Sequence, residues 1–194
     1  MNPITNINQL DFSKRYTYAD YMSWQFPERV ELLRGKLYTM SPAPNLRHQL
    51  VSGNIFGFLW IFLKDKPCRV FSAPFDVRLP VADKKGKKDT VVQPDITVVC
   101  NPDVLGKQGC TGVPDLVVEV LSPGNTTKEM RDKFDIYEEA GVKEYWLAHP
   151  SDNTVIVYSL NENEKYIGSR HFTIKDTVES SVVRGFDLRL KDIF

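Results

Sequence analysis

The sequence predicts an α/β fold in which a mixed central β-sheet is flanked by helices. Three observations lead there. Apolar residues recur at helical spacing from Arg47 to Lys64. Apolar runs at 69–79, 91–100, 116–121 and 154–160 read as strands. An apolar run at 116–121, a capped helical segment and the run Glu144–Ala148 follow in the order strand, helix, strand, which marks a parallel crossover.

The elements follow in chain order. Residues 1–15 read as a loose lead-in to one domain spanning 1–194. Thr17 with Asp20 opens a short helix from Tyr18 to about Gln25, because a Thr side chain satisfies free amides of a first turn, and Pro27 ends it. Gly35 lies between two apolar runs in 30–40 and reads as a hairpin turn. Residues 41–45 are a loop punctuated by proline. In the long helix, Val51, Ile55, Phe58 and Phe62, with Leu50 and Leu59 beside them, should form one buried face. Lys84, Lys85, Lys87 and Lys88 around Gly86 read as a solvated loop joining two strands. Thr126 and Glu129 have the spacing of a capping box, Met130, Phe134 and Tyr137 give the next helix its apolar face, and Gly141 stops it.

Composition narrows the function classes. The 25 basic and 25 acidic residues cancel, which weighs against strong non-specific affinity for nucleic acid. Cys68, Cys100 and Cys110 form no metal-type cluster, and an odd, sparse count points to a reducing compartment, hence the cytoplasm. The N-terminus lacks the basic start and apolar run of a signal peptide. The longest apolar stretch, Ile55 to Leu63, falls short of the roughly 20 residues that span a bilayer, so no membrane partner is expected.

Two carboxylates stand in unusual places. Glu119 sits inside the apolar run Leu116-Val117-Val118-Glu119-Val120-Leu121, where desolvation costs several kcal/mol unless the acid is paired or holds a metal. Asp95 follows Pro94 and leads straight into Ile96-Thr97-Val98-Val99. Two acids on neighbouring strands can share a divalent cation, and Mg²⁺ or Mn²⁺ suits a site of few carboxylate ligands. Two alternatives stay open. Pro-Asp is a common turn dipeptide, and Asp115, four residues before Glu119 on the same strand face, competes with Asp95. Glu119 can also be a buried acid paired with Arg or Lys.

Hydrolysis of a phosphodiester also needs charge relief and a positioned water. Lys133 is the candidate, at the edge of the helical face made by Met130 and Tyr137; the alternative is a solvent-facing lysine. Glu31 is either a third acid near the metal or the polar side of a hairpin. His48, at the start of the long helix, is either functional or a cap-region histidine. His149 and His171 lack ligand spacing, and no Cys-His pair, Ser-His-Asp set or Gly-rich phosphate loop is evident.

Several segments together resemble one family. They are Tyr16–Tyr21, Val30–Leu37, Ala73–Leu79, Val92-Gln93-Pro94-Asp95, the run Pro114-Asp115-Leu116-Val117-Val118-Glu119-Val120-Leu121-Ser122-Pro123, and Ala140–Trp146. They resemble the Uma-two family of restriction-endonuclease-like proteins, within the PD-(D/E)XK nuclease superfamily. The resemblance implies a restriction-endonuclease-like core and Asp95 with Glu119 as the metal pair. It implies a lysine moved from the strand to the next helix, where Lys133 stands, and it matches Glu31 and His48 to an early acid and a histidine of the first long helix. Leu121 departs from the simple Glu-x-Lys pattern. The function expected is metal-dependent hydrolysis of DNA by an endonuclease, with a homodimer as a possible assembly because duplex DNA is pseudo-symmetric. The alternative is a nuclease-fold module that binds nucleic acid or a protein partner without cleaving.

Overall fold

The computed structural model describes residues 3–40, 45–123 and 127–194; the capping position Thr126 and most of the 41–45 loop lie outside them. The expected mixed α/β architecture is present. Helix α1 (Tyr18–Ser23) starts at the predicted Thr17 cap, where Thr17 and Asp20 each bond the other's backbone amide, and it ends two residues before the expected Gln25. Strands β1 (Val30–Leu33) and β2 (Lys36–Thr39) pair antiparallel around Arg34 and Gly35, both at positive φ, which a two-residue hairpin turn requires. The lead-in is packed rather than loose. Asn6 caps a 3₁₀ turn at Ile7–Gln9, Leu10 is buried, and Ile4 and Ile7 pack against the β1–β2 hairpin.

Helix α2 (Leu46–Leu63) is capped by the Asn45 side chain, which accepts from the His48 amide. Its buried face is His48, Val51, Ile55, Leu59 and Leu63, so Leu50 and Phe58, expected inside, stand out in solvent. Helix α2 is apolar nearly all round, so apolar spacing alone could not fix which side turns inward.

The two long strand segments each divide. The first becomes β3 (Arg69–Ser72) and β4 (Val77–Leu79); the second becomes β5 (Thr90–Val92) and β6 (Ile96–Val99). Pro74 and Pro94 fall in the two gaps, where residues without an amide proton cannot carry a ladder onward. The halves join different sheets. A six-stranded sheet runs β2-β1-β5-β4-β8-β7, with β7 at Leu105–Gly106 and β8 at Gly109–Thr111. The other sheet has β9 (Leu116–Val120) at its centre, between β6 and β10 (Glu144–His149). It continues through β11 (Thr154–Leu160), which also pairs with β12 (Tyr166–Gly168) and β13 (Phe172–Thr173). Strands β9 and β10 are parallel, joined through helix α3 (Thr127–Ala140), as the predicted crossover requires. Gly141, at φ 85°, follows the end of α3. A final hairpin, β14 (Thr177–Glu179) and β15 (Asp187–Arg189), closes the α2 side of the core.

The lysine loop is a hairpin connection between β4 and β5, held by Asp83, whose Oδ1 accepts from the Lys85 and Lys87 amides. Cys68 and Cys100 stand directly opposite across the β3–β6 pair and are disulfide-bonded, while Cys110 is free and buried. The inference of a reducing compartment from an odd cysteine count therefore loses its footing, because the strand register pairs two of the three. Among the described residues, no helix is long and apolar enough to cross a membrane.

Candidate active site

The break at Gln93-Pro94-Asp95 sets the site. The β6–β9 register pairs Ile96 with Val118, so Asp95, one residue outside β6, lies level with Glu119. Side chains alternate along a strand, so Val117 and Glu119 face the α3 side while Leu116 and Val118 face α2. Asp95, Glu119, His48 and Lys133 border one cavity of about 300 Å³, together with Ser52 and Met130.

Lys133 is buried, and its Nζ lies 3.0 Å from Oε1 of both Glu119 and Glu31. Glu31 is buried within β1, and the same oxygen accepts the Gln93 amide at 2.7 Å. The Tyr137 hydroxyl donates to Glu119 Oε1 at 2.6 Å. Beside Glu119, Asp95 Oδ2 accepts the Val120 amide at 2.8 Å and lies 3.2 Å from His48 Nε2. The structure thus gathers all five candidates. Lys133 is a core lysine and Glu31 is no surface acid. The competitor Asp115 turns elsewhere, accepting from Lys143 Nζ and the Cys100 amide, both at 2.7 Å. Leu121 borders the cavity, where Lys133 supplies the ammonium from α3.

The electrostatics follow from burial. Desolvation pushes the Glu119 carboxyl up to about 7; Lys133 opposes this, Asp95 and Glu31 add to it, and Tyr137 opposes it. Burial alone would lower the Lys133 pKa, but Glu119 and Glu31 hold it well above its ordinary value, so Lys133 is a fixed cation rather than a base. Burial would likewise lower the His48 pKa, yet Asp95, then Glu119 and the Val120 carbonyl, leave it raised. Three carboxylates therefore gather with one lysine and one histidine beside the cavity, which Arg29 and Glu129 also border.

Whether a divalent cation suits these residues turns on the free acceptors. Both described donors to Glu119 land on Oε1 and both to Asp95 on Oδ2; the second oxygen of each carboxylate joins no described hydrogen bond. Among the described residues no group of three or more acidic, His or Cys side chains gathers as a metal site. Two carboxylates and a backbone carbonyl near Val120 make a sparse oxygen set, which fits Mg²⁺ or Mn²⁺ better than a cation needing a full protein cage.

Sequence reasoning missed two contributors. Tyr137 was expected only as apolar core; it sits one turn after Lys133 on the same face, and that spacing is the signal that the two can share Glu119. Gln93 links Glu31 through its amide to Asp76 and Tyr21 through its side chain, at 2.7 and 3.2 Å; the sequence marks it only as part of the resembling segment Val92-Gln93-Pro94-Asp95.

The fold and site define a protein of the restriction-endonuclease-like class. Residues 18–191 match the family described as "Uma2: Putative restriction endonuclease", and the chain belongs to that family. A solved protein from Anabaena variabilis, described as a putative nuclease belonging to DUF820, shares the fold with a TM-score of 0.72 at 20% identity, over 92% of this chain and 97% of that one. No curated protein matches the chain.

Proposed function

We propose that this protein is a metal-dependent endodeoxyribonuclease that hydrolyses phosphodiester bonds of DNA. The observation that carries the reading is the level pairing of Asp95 with Glu119 on adjoining strands, beside a buried lysine and an open cavity. Asp95 and Glu119 would hold Mg²⁺ or Mn²⁺, which would supply Lewis-acid polarisation of the phosphate and a lowered water pKa. Lys133 spends two of its three N–H donors on Glu31 and Glu119. The third is left for the phosphate or the attacking water, and the fixed charge offsets the negative charge that grows as water attacks phosphorus and the P–O bond breaks. His48 orients Asp95, and the Val120 amide fixes the carboxylate plane. Cellular DNA as the substrate would be met in the cytoplasm, the location proposed with this reading.

One observation favours the alternative of a module that binds without cleaving: Lys133 is already held by two acids, as in a purely structural ion pair. Purified protein with plasmid and oligonucleotide DNA in Mg²⁺ or Mn²⁺ separates the two. Nicking or linearisation that is absent with chelator and with Asp95→Ala supports the nuclease. Intact DNA in both metals, with retained binding, supports the module.

A further inference from the structure

Helix α2 shows an unused face. Its exposed apolar residues Leu46 (76% exposed), Leu50 (55%), Trp60 (52%) and Ile61 (68%) lie about 100° apart per residue. That spacing puts all four, with Gly53 and Gly57, in one stripe opposite the buried face of Val51, Ile55 and Leu59. A Cβ added to Gly53 or Gly57 would meet nothing within 4 Å, so the middle of the stripe is open backbone. Helices apolar on all sides are ordinarily buried on all sides.

We propose that this stripe is the contact surface for a second copy of the same chain, with two α2 helices packed antiparallel about a twofold axis that passes between Gly53 and Gly57. Three features select a second copy. First, the stripe is self-complementary: with the glycines at the centre, Leu46 and Leu50 of each copy lie against the Trp60–Ile61 end of the other, and the two backbones approach closely where no side chain intervenes. Second, the area suffices. The four large residues expose on the order of 500 Å² of apolar surface, and the glycines with flanking Gln49 and Asn54 bring this near the roughly 800 Å² per partner of a stable interface. Third, the charges allow a second copy. Helix α2 has no acidic residue, and its one arginine, Arg47, is turned to the Pro150 carbonyl and Asn153. The exposed C-cap lysine, Lys64, stands at one end of the stripe, and antiparallel packing sets the two copies of it at opposite ends of the pair, so the copies meet without repulsion. Gln49 and Gly53 also border the cavity, so the second helix runs along the rim of the site. The inference stands whether or not the protein cleaves DNA.

The test is the mass of the full chain in solution, by light scattering and sedimentation at tens of micromolar. The parent protein should run at twice 22.2 kDa. The double variant Leu50→Glu/Ile61→Glu changes only exposed positions and should run at the monomer mass with an unchanged circular dichroism spectrum. Gly57→Leu should keep the fold, since leucine forms helix better than glycine and its Cβ would meet nothing within 4 Å. It should weaken association at least about tenfold by keeping the backbones apart. A parent protein that stays monomeric, including one that associates only with DNA or an unrelated protein, overturns the proposal. So does a dimer that survives both variants; should the double variant fail to fold, Gly57→Leu decides alone.

Discussion

Two glutamates stand on neighbouring apolar strands, and they have opposite surroundings. Glu144, at the start of β10, is fully buried. Its Oε1 accepts the Trp146 indole N–H at 2.5 Å, and its Oε2 accepts the Ser181 amide at 2.8 Å and the Ser181 hydroxyl. All are neutral donors, two of them from the C-terminal segment, which Glu144 pins to the sheet. Glu119, in β9, is held by a cation shared with another acid and by a tyrosine, and it borders a cavity. Burial in an apolar strand therefore flags an acid without saying what it is for. A closed shell of neutral donors makes a structural carboxylate. A shared cation beside open volume makes one that can exchange partners.

Removing each acid should break the comparison most sharply. Glu119→Gln should lower cleavage by about a thousandfold or more while the protein stays folded. Glu144→Gln should leave cleavage per folded molecule unchanged and lower stability by about 1–3 kcal/mol, because buried donors lose a charged acceptor. Cleavage lost in Glu144→Gln without a fall in melting temperature would collapse the distinction. Lys133 comes next. Lys133→Ala should abolish single-turnover cleavage at saturating DNA, which reports the chemical step. It should also destabilise the fold by about 3–5 kcal/mol, since it strands Glu31 and Glu119 without a cation. Lys128→Ala, on the exposed side of the same helix, should leave that rate alone. Equal single-turnover rates for Lys133→Ala and the parent would remove the lysine from the chemistry.

How much of this the sequence carried depends on whether the signal was local. The Thr17–Asp20 cap, the Gly35 hairpin and β11 were legible because a few adjacent residues decide each. Asp95 and Glu119 were legible because acids beside apolar runs stand out, yet Glu144, more deeply buried, passed unnoticed at the head of its strand. The prolines at 74 and 94 were visible, but the change of sheet at each depends on strands elsewhere in the chain. The inward side of α2 was hidden by its apolar outer face. The Cys68–Cys100 pair needed the β3–β6 register, and the Tyr137 hydroxyl needed the docking of α3 on β9.

Titration gives a gentler test. The folded state raises the Glu119 pKa from 4.5 to about 7, so it favours the protonated acid. Its contribution to stability is fullest below pH 4.5 and is lost as pH rises through about 7. His48, also raised, loses stability in the same direction as pH rises past its folded value. In chelator the melting temperature should therefore fall between about pH 4.5 and 7.5, Glu119→Gln should flatten much of that fall, and Mg²⁺ or Mn²⁺ should restore the parent at the upper end. A fall of equal size in Glu119→Gln would assign the titration to other groups.

The smallest expected effect isolates one hydroxyl. Tyr137→Phe keeps the ring that packs on Tyr145 and removes only the donor to Glu119 Oε1. That bond favours the ionised carboxylate, so its loss should raise the Glu119 pKa further, by about one unit for a hydrogen bond to a charged group. The acidic limb of the cleavage profile should move upward by the same amount, while the plateau rate above it falls only a few-fold. Tyr137 acts through Glu119 and is a positioning residue, so the limb and not the plateau is the diagnostic. The matching change on the structural acid, Ser181→Ala, deletes a hydroxyl donor to Glu144. It should lower stability by about 1 kcal/mol and leave the limb where it was. A limb that stays fixed in Tyr137→Phe would mean that Lys133 alone sets the charge of Glu119, and the tyrosine would revert to the packing role its spacing first suggested.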